Sequence, residues 1–196
     1  MNSEAFAASI GKPLTVHATL HNAQSSSFSE ESWSTFQNRI FDKMSRWLSR
    51  REILPAFVWT RECGPQKGAH THLMLHLPCQ HWAAFKDFVL STGEFSQANI
   101  GQPGEAIRLN GGVFGMMSPN RRAGALKYLL KSLDNPRHRD ALGIRHEPSE
   151  PVFCLRAGVS RSLSHQARAA AGWVELTTLA ELRAHLHPAE GAKANG

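Results

Sequence analysis

Residues 68–78, with the sequence GAHTHLMLHLP, carry the pattern that most constrains this chain. The odd-numbered positions are Ala, Thr and three Leu, whereas His70, His72, Met74 and His76 occupy the even positions. Alternation with a period of two predicts a β-strand with one buried apolar face. On the other face the imidazoles lie two residues apart, point the same way and are close enough to share one cation. We therefore predict a metal-binding strand.

The length and composition are those of a globular domain. A chain of 196 residues with 41% hydrophobic residues can form one domain with a sizeable core. No apolar run has membrane-spanning length, and the first residues do not resemble a signal peptide. The three cysteines form no CxxC pair, and an odd count argues against a disulfide framework. We expect a cytoplasmic location and no membrane partner.

The net charge of +6 is concentrated in one segment. Residues 119–168 hold ten Lys or Arg against four acidic residues, while the rest of the chain holds twelve of each sign. Such a segment suits a polyanion, and it also suits a solvated basic surface. The candidate contacts to DNA are Arg121, Arg122, Lys127, Arg156 and Arg161. The last two flank a Gly- and Ser-containing stretch before a predicted helix, which could bind a phosphate or simply cap that helix.

Hydrophobic periodicity predicts the order strand, helix, strand, strand, helix, strand, helix. The strands are predicted at 13–21, 56–62, 69–77 and 105–109, and the helices at 30–50, 80–90 and 118–133. The first six elements match a split β-α-β-β-α-β arrangement, which is ferredoxin-like: an α+β fold with an antiparallel sheet and helices on one face. The histidine motif then lies on a central strand.

The sequence also suggests where domains begin and end. Residues 1–12 are predicted to be a flexible N-terminal segment and residues 13–136 to be the main domain. Residues 137–188 are predicted to be a basic C-terminal extension with a flexible loop over 137–151, a short strand and short helices, packed on that domain. Residues 189–196 are predicted to be a disordered tail.

A metal site needs a third ligand beside His70 and His72. Glu62 is the carboxylate near the end of the second predicted strand, directly before the hairpin that leads to the histidines. Two imidazoles and a carboxylate leave positions open for substrate oxygens and water, as a divalent Lewis acid on a phosphate requires. The set also resembles a catalytic zinc site. Alternatively, these are exposed strand histidines and a loop carboxylate; His76, two rungs further along, is expected outside the ligand set.

The chain has one tyrosine, Tyr128, which lies in the third predicted helix within LKYLLKS. Lys131 follows three residues later, so the two side chains are neighbours on the helix surface. A phenol with a pKa of about 10 is a poor nucleophile at neutral pH. A nearby ammonium can favour the phenolate or stabilise charge on a phosphate. The alternative is an ordinary tyrosine beside a solvated lysine, because YxxK alone is a weak motif.

Together the two motifs resemble those of the HUH superfamily of single-strand endonucleases, in the order found in rolling-circle replication initiators. Residues 68–73 (GAHTHL) resemble the metal motif, residues 128–131 (YLLK) resemble the YxxK motif, and residues 14–20 correspond loosely to the first motif. The resemblance covers residues 13–135. Thr71 departs from the bulkier apolar residue that the family prefers between the histidines.

The resemblance implies a site and a reaction. His70 and His72 would bind Mg²⁺ or Mn²⁺, with Glu62 as the third ligand. Tyr128 would attack single-stranded origin DNA, as a free strand or in a hairpin, and form a 5′-phosphotyrosine link with Lys131 assisting. The implied activity is nicking and rejoining that initiates rolling-circle replication of a plasmid or phage. Since the chain has no GxxxxGK[ST] loop, a host helicase and polymerase would be partners.

Two other functions fit parts of the sequence. Single-tyrosine transposases of the same superfamily tend to be shorter and usually carry Gln in place of Lys131. Conjugative relaxases place the tyrosine before the histidines, so the order here argues against them. A non-catalytic domain that binds single-stranded nucleic acid is an alternative of another class, against which the intact set of histidines, carboxylate and tyrosine argues.

Overall fold

The computed structural model describes residues 1–64, 68–95, 107–110, 119–131, 136–145, 152 and 155–186. The helices are α1 (Asn2–Ser9), α2 (Trp33–Ser49), α3 (Trp82–Thr92), α4 (Pro119–Leu129), α5 (Pro136–Ala141), α6 (His165–Ala170) and α7 (Leu179–Leu186). The strands are β1 (Val16–Leu20), β2 (Phe57–Gly64), β3 (Gly68–Leu75), β4 (Ile107–Asn110) and β5 (Ala157–Val159). Short 3-10 turns occupy Asn22–Gln24, Cys79–His81 and Arg161–Leu163. No helix in these ranges is long and apolar enough to cross a membrane.

The strands form one open sheet in which all neighbours are antiparallel. Their order is β4-β1-β3-β2-β5, so β3 with its histidines is the central strand. Four strands make up most of the sheet, and the short β5 extends it beside β2. The predicted α+β class with an antiparallel sheet is therefore confirmed. The start of the predicted fourth strand at 105–106 and the hairpin residues 65–67 lie outside the described residues.

The register of the sheet decides which side chains share a face. Glu62 of β2 lies opposite His70 of β3, and Thr19 of β1 lies opposite His72. Residues directly opposite each other in antiparallel strands project to the same side, and so do residues two apart on one strand. His17, two residues before Thr19, therefore joins the same face.

The other face of the sheet packs against α2 and α3. α2 buries one apolar stripe whose members recur every three or four residues, as the sequence predicts. The main core cluster combines strand residues Val16, Ala18, Leu20, Phe57, Trp59, Leu73 and Leu75 with helix residues Phe36, Ile40, Phe41, Met44, Trp47, Leu48, Phe85, Val89 and Leu90. Burial of this apolar surface fixes the sheet against the two helices.

A second apolar cluster covers the face that carries the histidines. It contains Phe6, Ala7, Leu14, Ala56, Met74, Leu126, Leu129, Leu142, Ile144 and Leu163. Met74 brings β3 into this cluster, and Leu126 and Leu129 bring α4. Because Met74 alternates in phase with the histidines, α4 packs on the histidine face of the sheet.

Residues Asn2–Ser9 form helix α1 within the segment 1–12 that the sequence predicts to be flexible. The Asn2 amide donates to the Leu176 carbonyl at 3.2 Å and accepts from the Leu176 N–H at 2.7 Å. Glu4 is 1% exposed and pairs with Arg122 of α4 at 3.6 Å and with His185 of α7. These partners come from the far end of the chain, so local periodicity gives no signal for them.

The C-terminal extension contains more regular structure than its sequence predicts. α5 begins where a flexible loop over 137–151 is predicted, although residues 146–151 lie outside the described part. Arg168 of α6 donates to Ser3 Oγ at 2.7 Å and to the Leu163 carbonyl at 2.6 Å. The extension therefore packs against α1. The predicted tail at 189–196 lies outside the described residues.

We predict that Gly158→Ala destabilises the fold. A Cβ atom at Gly158 would lie 2.5 Å from Cζ2 of Trp59, far inside van der Waals contact. Since the Trp59 side chain is buried in the main core, β5 or the ring must shift, at a cost of about 1–3 kcal/mol. Urea denaturation monitored by circular dichroism would measure the change in the free energy of unfolding.

Gly124→Ala is the matched control. Gly124 is exposed on α4, and an added Cβ there meets nothing within 4 Å. Alanine has the higher helix propensity, so this variant should be more stable by roughly 0.5–1 kcal/mol. A Gly158→Ala protein as stable as the unmodified chain would contradict the packing of β5 on Trp59.

Candidate metal centre

Three side chains, Glu62, His70 and His72, converge on the α4 face of the sheet. The Nε2 atoms of His70 and His72 lie 3.5 and 3.6 Å from the same Glu62 Oε2. One candidate ligand atom from each residue lies within 4.8 Å of the other two. Atoms about 2.1 Å from a shared ion in tetrahedral or octahedral geometry are separated by roughly 3.0–3.4 Å. The three residues thus form a possible metal-binding triad, in which the two distances to Glu62 Oε2 are close to this separation.

The triad contains buried polar atoms for which the described residues supply no hydrogen bond. Nε2 of His70, Nε2 of His72 and Oε1 of Glu62 are inaccessible to solvent and make no hydrogen bond to any residue that the structure describes. All three residues are at most 4% exposed. Buried polar atoms are normally satisfied, because leaving one unpaired costs about 1–3 kcal/mol. Two unpaired imidazole nitrogens beside one buried carboxylate fit a cation, which would satisfy them.

Hydrogen bonds on the far side of each ring orient the two imidazoles. His70 Nδ1 lies 2.9 Å from the Gly68 carbonyl, which can only accept, so this nitrogen carries the proton. In the neutral ring the lone pair is then on Nε2, which faces Glu62. His72 Nδ1 lies 3.1 Å from Thr19 Oγ1 and 3.3 Å from His17 Nε2.

Burial and neighbouring charges set the ionisation of the site. Burial lowers the pKa of His17 to about 4, reinforced by His72 and Lys131 and opposed by Glu62. Burial also lowers the pKa of His72, against the attraction of Glu62. Burial raises the pKa of Glu62, but His70, His72 and Lys131 lower it more, so it lies below its ordinary value. At neutral pH the site therefore offers a carboxylate and uncharged His17 and His72 rings, and neutral imidazole is the form that binds metals.

Tyr128 and Lys131 lie beside this triad. The ring centroid of Tyr128 is 4.8 Å from that of His72, with an angle of 80° between the planes. Lys131 continues the last turn of α4, and its Nζ lies 3.0 Å from Glu62 Oε2 and 4.0 Å from the Tyr128 ring centroid. The structure thus brings the five predicted metal and catalytic residues into one cluster.

The packing of α4 explains why the tyrosine lies here. Ala123, Leu126 and Leu129 recur at intervals of three residues and are at most 6% exposed. This apolar stripe packs α4 against the histidine face of the sheet. Tyr128 and Lys131 lie beside the stripe at the C-terminal end of the helix. At the other end of the helix, Arg122 is tied to the buried Glu4 at 3.6 Å.

The five predicted DNA contacts have different surroundings. Arg121 is exposed on α4 and Lys127 is half-buried, with its pKa lowered by burial and then by Arg183. Arg122 pairs with Glu4, which gives it a structural role. Arg161 is exposed after β5.

Arg156 lies just before β5, at the edge of the sheet beside β2. Its carbonyl accepts from the Arg61 N–H at 2.7 Å. Its Nε and Nη2 atoms are buried and make no hydrogen bond within the described part of the chain. Neither this residue nor the other four basic side chains is brought to the triad in the way that Lys131 is.

Two further residues of the site, His17 and Thr19, are not predicted from the sequence. The first strand does alternate Thr and His on one side, which is the one signal that could have pointed to them. Only the pairing of β1 with β3 shows that they lie beside His72. At the end of the same strand, the His21 ring stacks on that of His70, with centroids 6.0 Å apart.

No family model matches the chain, and comparisons with curated proteins and with solved structures give no match either. The fold and the geometry of the triad with Tyr128 and Lys131 are therefore the basis on which a function can be proposed.

We predict that the metal-free protein binds Mn²⁺ through the triad. Electron paramagnetic resonance of free Mn²⁺ during a titration would give the affinity, and His72→Ala should abolish binding because it removes one of the converging nitrogens. Binding only to the folded state should raise the melting temperature, with about 2.7 kcal/mol of stabilisation at a hundredfold excess over Kd.

His76→Ala is the control for this titration. His76 follows the end of β3, but its Nδ1 donates to the Pro13 carbonyl at 2.9 Å and not to any residue of the triad. This variant should bind Mn²⁺ as tightly as the unmodified protein. Equal affinities of the His72→Ala and His76→Ala proteins would show that the triad is not the binding site.

Proposed function

We propose that this protein is an HUH-type single-strand DNA endonuclease that nicks and rejoins an origin to initiate rolling-circle replication of a plasmid or phage. The observation that carries the proposal is the contact of the Tyr128 ring with His72, with the ammonium of Lys131 beside both the phenol ring and Glu62. The tyrosine is distant from the histidines in the sequence, so the fold must bring them together. A nucleophile, a cation and a metal-binding triad in one place suit phosphodiester transesterification.

The strand order supports the same proposal. β1 and β2 are both antiparallel to β3, so they are parallel to each other, are joined through α2 and are separated by β3. β3 and β4 are likewise parallel, joined through α3 and separated by β1. This connectivity is compatible with the split β-α-β-β-α-β arrangement that the order of elements along the sequence predicts.

Tyr128 is the nucleophile in this proposal. Its phenol oxygen forms a bond to the scissile phosphorus, and the bond between phosphorus and the 3′ oxygen breaks. The phenol loses its proton and the departing 3′ oxygen gains one, so the products are a 5′-phosphotyrosine and a free 3′-OH. The phosphoester is conserved in the covalent link, so a later 3′-OH can reverse the reaction and rejoin the strand.

Lys131 stabilises negative charge in this step. Its ammonium lies close to the Tyr128 ring and is held by Glu62 at 3.0 Å, in a position that is 8% exposed. A fixed cation in a water-poor site stabilises the negative charge that develops on the phosphate during attack. The rings of His17 and His72 hold the phenol in one orientation, which lowers the entropic cost of attack.

Glu62, His70 and His72 would hold Mg²⁺ or Mn²⁺, and the bound ion would polarise the phosphate oxygens. The mixed carboxylate and imidazole set suits Mn²⁺ better than Mg²⁺, and it also suits Zn²⁺. The substrate must be unpaired at the scissile bond, because a duplex would keep its backbone out of reach of a phenol held against the sheet. Arg121, Lys127, Arg156 and Arg161 are the proposed contacts to the strand, and a host helicase and polymerase complete replication.

We predict that the protein forms a covalent adduct with single-stranded DNA. A pool of random-sequence oligonucleotides labelled at the 3′ end should give, with Mn²⁺, a labelled protein band that survives a denaturing gel. Tyr128→Phe and a chelator should each abolish the band, because they remove the nucleophile and the ion. Lys131→Met should slow its formation by roughly 10²-fold or more.

The controls separate the competing functions. Tyr128→Phe keeps the ring contacts with His17 and His72, so its Mn²⁺ affinity should be unchanged although its adduct is lost. Retardation of the DNA in native gels without any adduct would favour a non-catalytic binding domain and contradict the proposal. An adduct whose product joins paired element ends would favour a single-tyrosine transposase.

A further inference from the structure

We propose, on the basis of the proposed function, that His17 and Thr19 are positioning residues of the metal centre. Each offers an acceptor to the Nδ1–H of His72, and together they hold that ring in the tautomer that can bind an ion. Neither residue belongs to the predicted ligand set, and both lie on a different strand from the ligand that they orient.

The two nitrogens of His72 have opposite surroundings. Nε2 faces Glu62 Oε2 at 3.6 Å, just beyond hydrogen-bond distance, and makes no hydrogen bond to a described residue. Nδ1, in contrast, lies within hydrogen-bond distance of Thr19 Oγ1 and His17 Nε2. A neutral imidazole has one N–H and one lone pair. If the proton were on Nε2, the lone pair would face β1 and the ring could not bind an ion beside Glu62. With the proton on Nδ1, both acceptors are used and Nε2 can bind the ion.

His70 does not need such help from side chains. Its Nδ1 lies 2.9 Å from the Gly68 carbonyl at the start of β3, an acceptor that no substitution removes. His72 lies in the middle of the sheet between β1 and β2, where the backbone carbonyls are engaged in the ladder. Orientation of this second imidazole therefore depends on side chains of the neighbouring strand.

The ring of His17 also packs against both the metal ligand His72 and the nucleophile Tyr128. Its centroid lies 5.3 Å from that of His72 and 5.8 Å from that of Tyr128, and the latter two rings are 4.8 Å apart. The three rings are thus in mutual contact. Thr19 and His72 are 8% and 1% exposed, which leaves little room for a water molecule to replace a missing acceptor. Because the His72 Nδ1–H has two acceptors, His17 and Thr19, we expect that either one can partly replace the other.

Mn²⁺ titration of the metal-free full chain tests this role without any assay of activity. His17→Phe keeps an aromatic ring but removes the acceptor, and Thr19→Val removes the hydroxyl at nearly constant volume. The double variant should bind Mn²⁺ about 10–100-fold more weakly than the unmodified protein. Because the acceptors are redundant, each single variant should weaken the binding free energy by less than half as much as the double variant does. His17→Gln, whose amide oxygen can accept near the position of Nε2, should retain most of the affinity.

Tautomer assignment gives a second, direct readout. Long-range ¹H–¹⁵N spectra of the metal-free protein should place the His72 proton on Nδ1, and the double variant should shift it toward Nε2. An Nε2–H tautomer in the unmodified protein would overturn the inference. If the double variant does not fold, the single variants decide the outcome. The inference then requires that His17→Phe and Thr19→Val bind Mn²⁺ more weakly than His17→Gln and Thr19→Ser, which keep an acceptor.

A purely structural role gives a different pattern. It would lower the melting temperature of the metal-free variants and leave their Mn²⁺ affinity equal to that of the unmodified protein, which would overturn the inference while the proposed function stands. If the unmodified protein binds no Mn²⁺ at all, the metal centre itself is refuted, and the role of His17 and Thr19 with it.

Discussion

The antiparallel register of β2 against β3 is the constraint on which the site depends. It sets Glu62 opposite His70, and a slip of one residue would turn Glu62 to the other face and Arg61 toward the histidines. Arg61 is 2% exposed and donates to Gln37 Oε1 at 2.6 Å, to Ser34 Oγ and to a backbone carbonyl near β5. A slip would break these bonds and place the Arg61 guanidinium beside the histidines. The polar contacts on the α2 face therefore also determine which residues share a face with the triad.

The electrostatics of the cluster suit an anionic substrate. Glu62 and Lys131 form a buried pair at 3.0 Å, in which each charge offsets the cost of burying the other. The lowered pKa values keep His17 and His72 uncharged, so they add polarity and no further positive charge. A divalent ion would therefore leave the site with a net positive charge, and a phosphodiester would supply the compensating negative charge.

Local patterns predicted the parts of this protein that depend on neighbours along the chain. Alternation over 69–77 predicted β3 and its imidazole face, and the spacing of Tyr128 and Lys131 predicted their contact. The same patterns could not place Thr19 beside His72, because that contact depends on which strand pairs with β3. They also missed α1, whose buried Glu4 has its partners in α4 and α7. The sequence alone could not show which distant residues contact each other. The strand order of the sheet and the second apolar cluster show these contacts.

The buried carboxylate of Glu4 has a consequence for the smallest unit that can be expressed. It connects α1 to Arg122 on the tyrosine-bearing helix and to His185 near the end of the described chain. Cutting the chain at residue 136 would remove His185, expose α1 and leave the Glu4 carboxyl group without one of its two partners. A shortened protein that keeps only the histidine and tyrosine motifs would thus lose contacts that position α4 and its tyrosine. Proteins for expression should therefore extend to residue 186 or beyond.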